Sequence, residues 1–227
     1  MKQKRELVRL LDYKPSAFLA ESVHLTFQLA PKCTIVHAKI RLLRKKPNVA
    51  LVLNGKDLEL VNAKINGKNL NQKLLKITPN ELKVPSKLIP SDEVVWEATT
   101  KINPEDNTSL EGLYLSDGTY CTQCEAEGFR KITYFLDRPD VMSIYSVRIE
   151  GDEPILLSNG NLVSSGPGFV EWHDPWPKPS YLFALVAGDL AFLRDTYVTK
   201  SGRNVNLRIY AKENQIDQHN KDLIKKF

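Results

Sequence analysis

The chain has 227 residues, 42% of them hydrophobic and 26% charged, a composition that builds a globular core without disulfide or metal staples. Its 32 basic residues outnumber 27 acidic ones for a net charge of +5, but the two signs are interspersed, which argues against a nucleic-acid partner. No apolar run approaches the roughly 18–20 residues that span a bilayer, so no membrane partner is expected.

Residues 1–15 carry positive charge but lack the apolar stretch of roughly 7–15 residues that marks a secretion signal. Asn107-Thr-Ser has the form of a glycosylation sequon and, with no such signal, is read as fortuitous. The three cysteines are an odd set, unsuited to a secreted disulfide framework. A reducing cytoplasm is the expected location.

From Val23 the sequence reads with a period of two. Val23, Leu25, Phe27 and Leu29 alternate with polar residues until Ala30-Pro31-Lys32, and Val36, Ala38, Ile40 and Leu42 alternate again up to Pro47. Such alternation belongs to strands with one buried face. Short strands are expected at 49–53, 58–65, 74–77 and 94–98, separated by Asn54-Gly55, Asn66-Gly67 and Pro79-Asn80. Further strands are expected at 144–149 and 155–157, with Asn159-Gly160 as a hairpin turn. Residues 172–179 contain Pro175, Pro177 and Pro179 and are read as too proline-rich to lie inside a sheet. The apolar run 181–187 reads as a central strand buried on both faces.

Val205, Leu207 and Ile209 alternate after Ser201-Gly202, so a hairpin is expected to begin near Asp195. Ile216, Leu223, Ile224 and Phe227 share one face of a helix. That face has nothing after it to cover it, and a helix this short is marginal alone. Residues from 196 onward are therefore expected to open a second domain.

Cys121-Thr-Gln-Cys124 is the most conspicuous local pattern. The spacing suits half a zinc site or a redox pair. Only Cys33 and the scattered His24, His37, His173 and His219 remain as further ligands, and a thioredoxin-like motif needs a helix within a βαβ unit. The two cysteines are read as ordinary thiols near a strand end. There is no His-Glu-x-x-His, no Gly-x-Ser-x-Gly and no glycine-rich phosphate motif. The aromatic and proline cluster at 172–176 is read as packing at an edge or domain junction.

Asn103-Pro-Glu-Asp-Asn-Thr-Ser-Leu-Glu-Gly-Leu-Tyr114 and Tyr120-Cys-Thr-Gln-Cys-Glu-Ala-Glu-Gly-Phe-Arg130 strongly resemble the bacterial aminopeptidase N family. The likeness runs on through Ile132-Thr-Tyr-Phe-Leu-Asp-Arg-Pro-Asp140, Asp174-Pro-Trp-Pro-Lys-Pro179 and Tyr181-Leu-Phe-Ala-Leu-Val-Ala-Gly-Asp189. It is dense from about residue 100 to 195 and looser before that.

The resemblance implies a mainly β fold. A twisted antiparallel β-sandwich or saddle would occupy residues 1–195, and residues 196–227 would be the first hairpin and helix of a thermolysin-like catalytic domain that is cut short. It also implies a zinc exopeptidase, a hydrolase that removes residues one at a time from the free amino end of peptides. Family members hold zinc through His-Glu-x-x-His and a downstream Glu, beside a Gly-x-Met-Glu-Asn stretch, and none of these is present. Zinc is thus implied for the full-length enzyme and none for this chain, which is expected to be inactive alone. Gln123 and Glu125 match the family's Gln-x-Glu. By resemblance Glu125 binds the substrate's α-ammonium and Gln123 lines the first side-chain pocket, so the implied partners are peptide N-termini and the chain's own catalytic domain. The alternative is a non-catalytic β-sandwich that serves as a protein-binding scaffold.

Overall fold

The computed structural model describes residues 9–216. In chain order, β1 (Phe18–Gln28) and β2 (Thr34–Arg44) form a long hairpin. Five short strands follow: β3 (Leu51–Asn54), β4 (Glu59–Ile65), β5 (Lys68–Asn69), β6 (Lys76–Ile77) and β7 (Glu81–Val84). Then come the long β8 (Glu93–Ile102) and a tight hairpin of β9 (Gly112–Ser116) and β10 (Thr119–Gln123). After an irregular segment come β11 (Met142–Glu150), β12 (Ile155–Ser158), β13 (Asn161–Gly166), β14 (Phe169–Pro179) and β15 (Leu185–Gly188). A last hairpin joins β16 (Ala191–Val198) to β17 (Asn204–Ala211). The helical pieces among the described residues are single 3-10 turns, and none is long and apolar enough to cross a membrane.

The strands make an eight-stranded sheet, β13-β14-β11-β1-β2-β8-β4-β5, and a four-stranded sheet, β12-β15-β10-β9. A three-stranded sheet, β3-β7-β6, and the separate β16-β17 pair complete the set. The period-two pattern decides which face is dry. Val36, Ala38, Ile40 and Leu42 of β2 and Val94, Trp96 and Ala98 of β8 are buried, while their neighbours along each strand are exposed or half-buried. The same core takes in Leu51 and Leu53 of β3, Leu82 and Val84 of β7, Tyr120 of β10, and Leu185 and Ala187 of β15. Each such aliphatic side chain stabilises the fold by about 1.5–3 kcal/mol. A typical exposed ion pair contributes only about 0–1 kcal/mol, so the core decides stability.

The architecture is the mainly β, layered one that the sequence implies, with four local differences. First, β1 and β11 run parallel, Ser22 opposite Ile144, in an otherwise antiparallel sheet. Nine strands separate them along the chain, which gives the long crossover a parallel pair requires.

Second, the proline-rich segment does lie in the sheet. β14 pairs Tyr145 with Asp174 and Ser143 with Lys178, so Pro175, Trp176 and Pro177 bulge outward against a single residue of β11. Prolines are tolerated there because bulged positions need not donate to the ladder. Pairing of β13 with β14 also stops at His173, leaving the far side of the bulge open. Lys178 Nζ closes it by donating to Asp174 Oδ2 at 2.6 Å.

Third, Asn159-Gly160 is not a hairpin turn. β12 pairs with β15 and β13 with β14, so these residues carry the chain from one sheet to the other. Asn159 spends its side chain on that task, accepting from Ala184 N and donating to Leu182 O.

Fourth, residues 181–184 are not extended. A 3-10 turn at Ser180–Leu182 precedes β15, which is central in its sheet but begins at Leu185. Likewise Gln72–Leu74 is a 3-10 turn, and only Lys76–Ile77 is strand.

The last hairpin forms about its Ser201-Gly202 turn and pairs from Ala191 onward, so residue 195 lies inside β16. The helix expected on Ile216, Leu223, Ile224 and Phe227 extends past Ile216, outside the described residues.

Between β10 and β11 the two main sheets are joined by aromatic packing. Phe129 meets Phe135 edge-on at 5.0 Å, Phe183 at 5.3 Å and Tyr145 at 6.1 Å. Replacing Phe129 with Ala is expected to lower unfolding stability by about 3–5 kcal/mol. Urea denaturation of the chain reads this directly, and a loss below about 1 kcal/mol would mean that Phe129 is not a keystone of the core.

Candidate functional site

Both residues singled out by the sequence lie where the β9-β10 hairpin ends. Its turn is Asp117-Gly118, with φ of 47° and 77°. Two successive positive φ values make the primed turn that matches strand twist. Asp-Gly is as clear a hairpin signal as Asn54-Gly55 or Asn66-Gly67. The turn sets the register that pairs Gln123 with Gly112 at the strand end.

Beyond Gln123 the chain alternately dips and surfaces. Cys124 is buried, Glu125, Ala126 and Glu127 are exposed, and Gly128 and Phe129 are buried again. Gly128 N donates to Cys124 O at 2.9 Å, which closes the turn. A side chain at Gly128 would collide with the carbonyl oxygen of Gln123 and press on Gly112 N, so only glycine lets the two strand ends approach this closely. The Glu125–Ala126 peptide is cis. Gln123 Nε2 donates to Glu125 O at 3.3 Å, so the two candidate residues are in direct contact.

The two exposed glutamates differ. Glu127 is paired, its Oε2 lying 3.1 Å from Arg130 Nη1. The Glu125 carboxylate has no hydrogen-bond or ion-pair partner among the described residues. A cleft of about 610 Å³ beside the loop is lined by Glu127, Arg130, Asp137, Arg138 and Asp140 among others, but by neither Gln123 nor Glu125. Within this chain Glu125 therefore faces open solvent.

What holds the loop is a set of ion pairs that the sequence did not reveal. Arg130 Nε and its backbone N donate to Asp137 Oδ2 at 2.9 and 3.2 Å, and Nη2 donates to Asp137 O at 3.0 Å. Ser180 Oγ donates to Asp137 Oδ1 at 2.6 Å, and Asp137 N donates to Asn54 Oδ1. On the other side Lys131, also buried, reaches Ser109 Oγ at 2.7 Å, Asp57 at 3.1 Å and Glu111 at 3.2 Å. The readable hint is the pair of charges on either side of the mostly apolar run Ile132-Thr-Tyr-Phe-Leu136, Arg130-Lys131 before it and Asp137-Arg138 after it. That run is wholly buried, so charges at its ends need partners.

Cys121 and Cys124 sit near the end of β10, both as free thiols. Burial pushes both thiols up from their ordinary pKa, Cys124 far more than Cys121. Neither side chain joins a group of three or more His, Cys, Asp or Glu residues able to hold a metal; no such group exists among the described residues. A raised thiol pKa starves the nucleophilic thiolate.

Several comparisons bear on the fold and site. The Peptidase M1 N-terminal domain family matches residues 16–182. An aminopeptidase N of Caulobacter vibrioides is 48% identical over 218 residues, covering 92% of this chain and 25% of that protein. The chain thus spans about a quarter of the length of the curated relatives it matches. The crystal structure of Legionella pneumophila aminopeptidase A in complex with aspartic acid superposes with a TM-score of 0.84 at 33% identity, covering 92% of this chain and 26% of that one. A variant of an M1 zinc metallopeptidase from Deinococcus radiodurans, bound to a Tyr-Ser-Ala substrate, shares the fold at a TM-score of 0.72 and 16% identity. That match covers 87% of this chain and 48% of the other.

The exposures set an order of thiol reactivity. Exposed Cys33 should be alkylated first by a maleimide at neutral pH, Cys121 slowly, and Cys124 only on unfolding. Mass mapping of the time course checks this, and early labelling of Cys124 would contradict the buried placement of the loop.

Proposed function

Because this chain belongs to the peptidase M1 N-terminal domain family, we propose that it forms the amine-recognition side of an active site in a zinc aminopeptidase. The single observation that carries the reading is the unpaired carboxylate of Glu125, displayed on a loop whose other charges are all paired. Catalysis is assigned to the remainder of a longer parent protein, which also holds the zinc. The described residues gather no set of zinc ligands, so no step involving the metal is derived from them.

The chemistry that an exopeptidase needs is recognition of a free amino terminus. An α-ammonium differs from an internal amide by its charge and its several N–H donors, and a carboxylate answers both with a charge-assisted hydrogen bond. On the open surface of this chain that bond competes with water and is weak. Once a second wall closes over the loop, the low dielectric strengthens it. Anchoring the amine also fixes where the first peptide carbonyl lies, the positional control that converts binding into rate. In this reading Gln123, tied to the Glu125 backbone, contacts the first side chain of the substrate. Glu127 is already neutralised by Arg130 and serves the loop, not the substrate. Three free thiols support assignment of the parent to a reducing cytoplasm.

Two measurements test the reading. In the full-length parent, Glu125→Gln should lower kcat/KM for alanyl or leucyl amides on the order of 10²-fold, while Glu127→Gln, whose amide oxygen still accepts from Arg130 Nη1, should cost far less. A near-normal value for Glu125→Gln would remove the anchor. The isolated 227-residue chain should release no product from the same amides, and chelator-sensitive turnover by it would refute the division of labour.

A further inference from the structure

We infer that Asp137 is a positioning residue for Glu125. Resting on the amine-anchor reading above, this inference names the group that fixes where the anchor sits. Asp137 lies twelve residues along the chain from Glu125 and does not line the surface that Glu125 occupies. Its carboxylate is 1% exposed, yet it is one of the most heavily bonded groups in the chain. Ser180 Oγ occupies Oδ1, while Arg130 Nε and Arg130 N share Oδ2.

The geometry passes from this buried charge to the anchor through one side chain. Arg130 uses all three of its guanidinium nitrogens: Nε and Nη2 on Asp137, and Nη1 on Glu127 at 3.1 Å. Glu127 is two residues past Glu125, and the intervening backbone is closed by the Gly128–Cys124 hydrogen bond and by Gln123 on Glu125 O. The exposed arc Glu125-Ala126-Glu127 is thus pinned behind by buried Cys124 and ahead by the Arg130 fork. The fork takes its orientation from Asp137, through the carboxylate at Nε and the backbone carbonyl at Nη2. A planar guanidinium held at both edges has little rotational freedom, which suits it to transmit a position. Asp137 is itself seated on the core by Asn54 of β3 through its backbone N and by Ser180 just ahead of β15.

Asp137→Asn keeps the shape but presents an N–H where one of these donors must bond, so the fork loses a partner and the arc loosens. A misplacement of about 1 Å at a reacting centre can cost on the order of 10²-fold in rate. The experiment uses the full-length parent and a double-mutant cycle with Asp137→Asn and Glu125→Gln. Two readouts are taken, kcat/KM on an alanyl amide and the inhibition constant of free alanine. Asp137→Asn alone should lower kcat/KM roughly ten- to a hundredfold and weaken alanine in parallel. In the Glu125→Gln background it should change neither by more than about twofold, because a positioning residue has nothing left to position. Additive losses would overturn the inference and make Asp137 a general stability residue. A near-normal Asp137→Asn enzyme would overturn it as well. Full activity of Glu125→Gln alone would instead remove the anchor reading, a separate and distinguishable failure. If Asp137→Asn does not yield folded protein, Ser180→Ala takes its place in the same cycle. It removes one donor from Oδ1 and leaves the ion pair, and its smaller loss must likewise vanish without Glu125.

Discussion

A carboxylate taken out of water must be fully bonded, and Asp137 is where this fold meets that demand. Removing one partner of a buried, hydrogen-bonded charge pair costs about 3–5 kcal/mol. A solvent-facing pair contributes about 0–1 kcal/mol. The difference ranks the ion pairs around the loop. Arg130 with Asp137 dictates conformation, and Arg130 with Glu127, whose carboxylate is largely exposed, passes that orientation to the arc while adding little stability of its own. Through that one residue, by its carboxylate and its backbone N, strand β3, the loop after β10 and the turn before β15 are fixed to each other. The three-stranded sheet, the loop after β10 and the four-stranded sheet therefore share a joint at Asp137.

Around that joint runs a buried segment with almost no regular structure. Its backbone groups are answered one by one: Phe135 exchanges two hydrogen bonds with Asn54, and Ile132 O accepts from Thr100 Oγ1. Buried main chain outside a ladder survives only with such individual partners. A rigid, irregular segment of this kind allows Glu125 to be presented on a short exposed arc rather than on a strand, where neighbouring side chains would crowd it.

Much of this was legible in the sequence because the long strands obey the period of two. The alternations from Val23 and Val36 fall in β1 and β2, and the inward faces follow directly. Gln123 and Glu125 were legible only through resemblance; by composition they are ordinary surface residues. What could not be read depended on partners distant in sequence. Asn159-Gly160 has hairpin chemistry, but each flanking strand finds a better partner elsewhere. The prolines of β14 forbid a regular ladder, yet the opposite strand accommodates a bulge. Asp137 shows locally only that it is a charge at the end of an apolar run; its partners Asn54 and Ser180 lie far away in sequence.

The parallel junction of β1 with β11 has a consequence for biogenesis. Ser22 pairs with Ile144, so β1 waits for a neighbour on the order of a hundred residues behind it in the chain. At about 5–20 residues per second, a ribosome takes on the order of ten seconds to supply it. During that interval β1 has β2 on one side and a bare, apolar-faced edge on the other. Such an edge recruits stray strands, so the arrival of β11 is what removes this liability from β1.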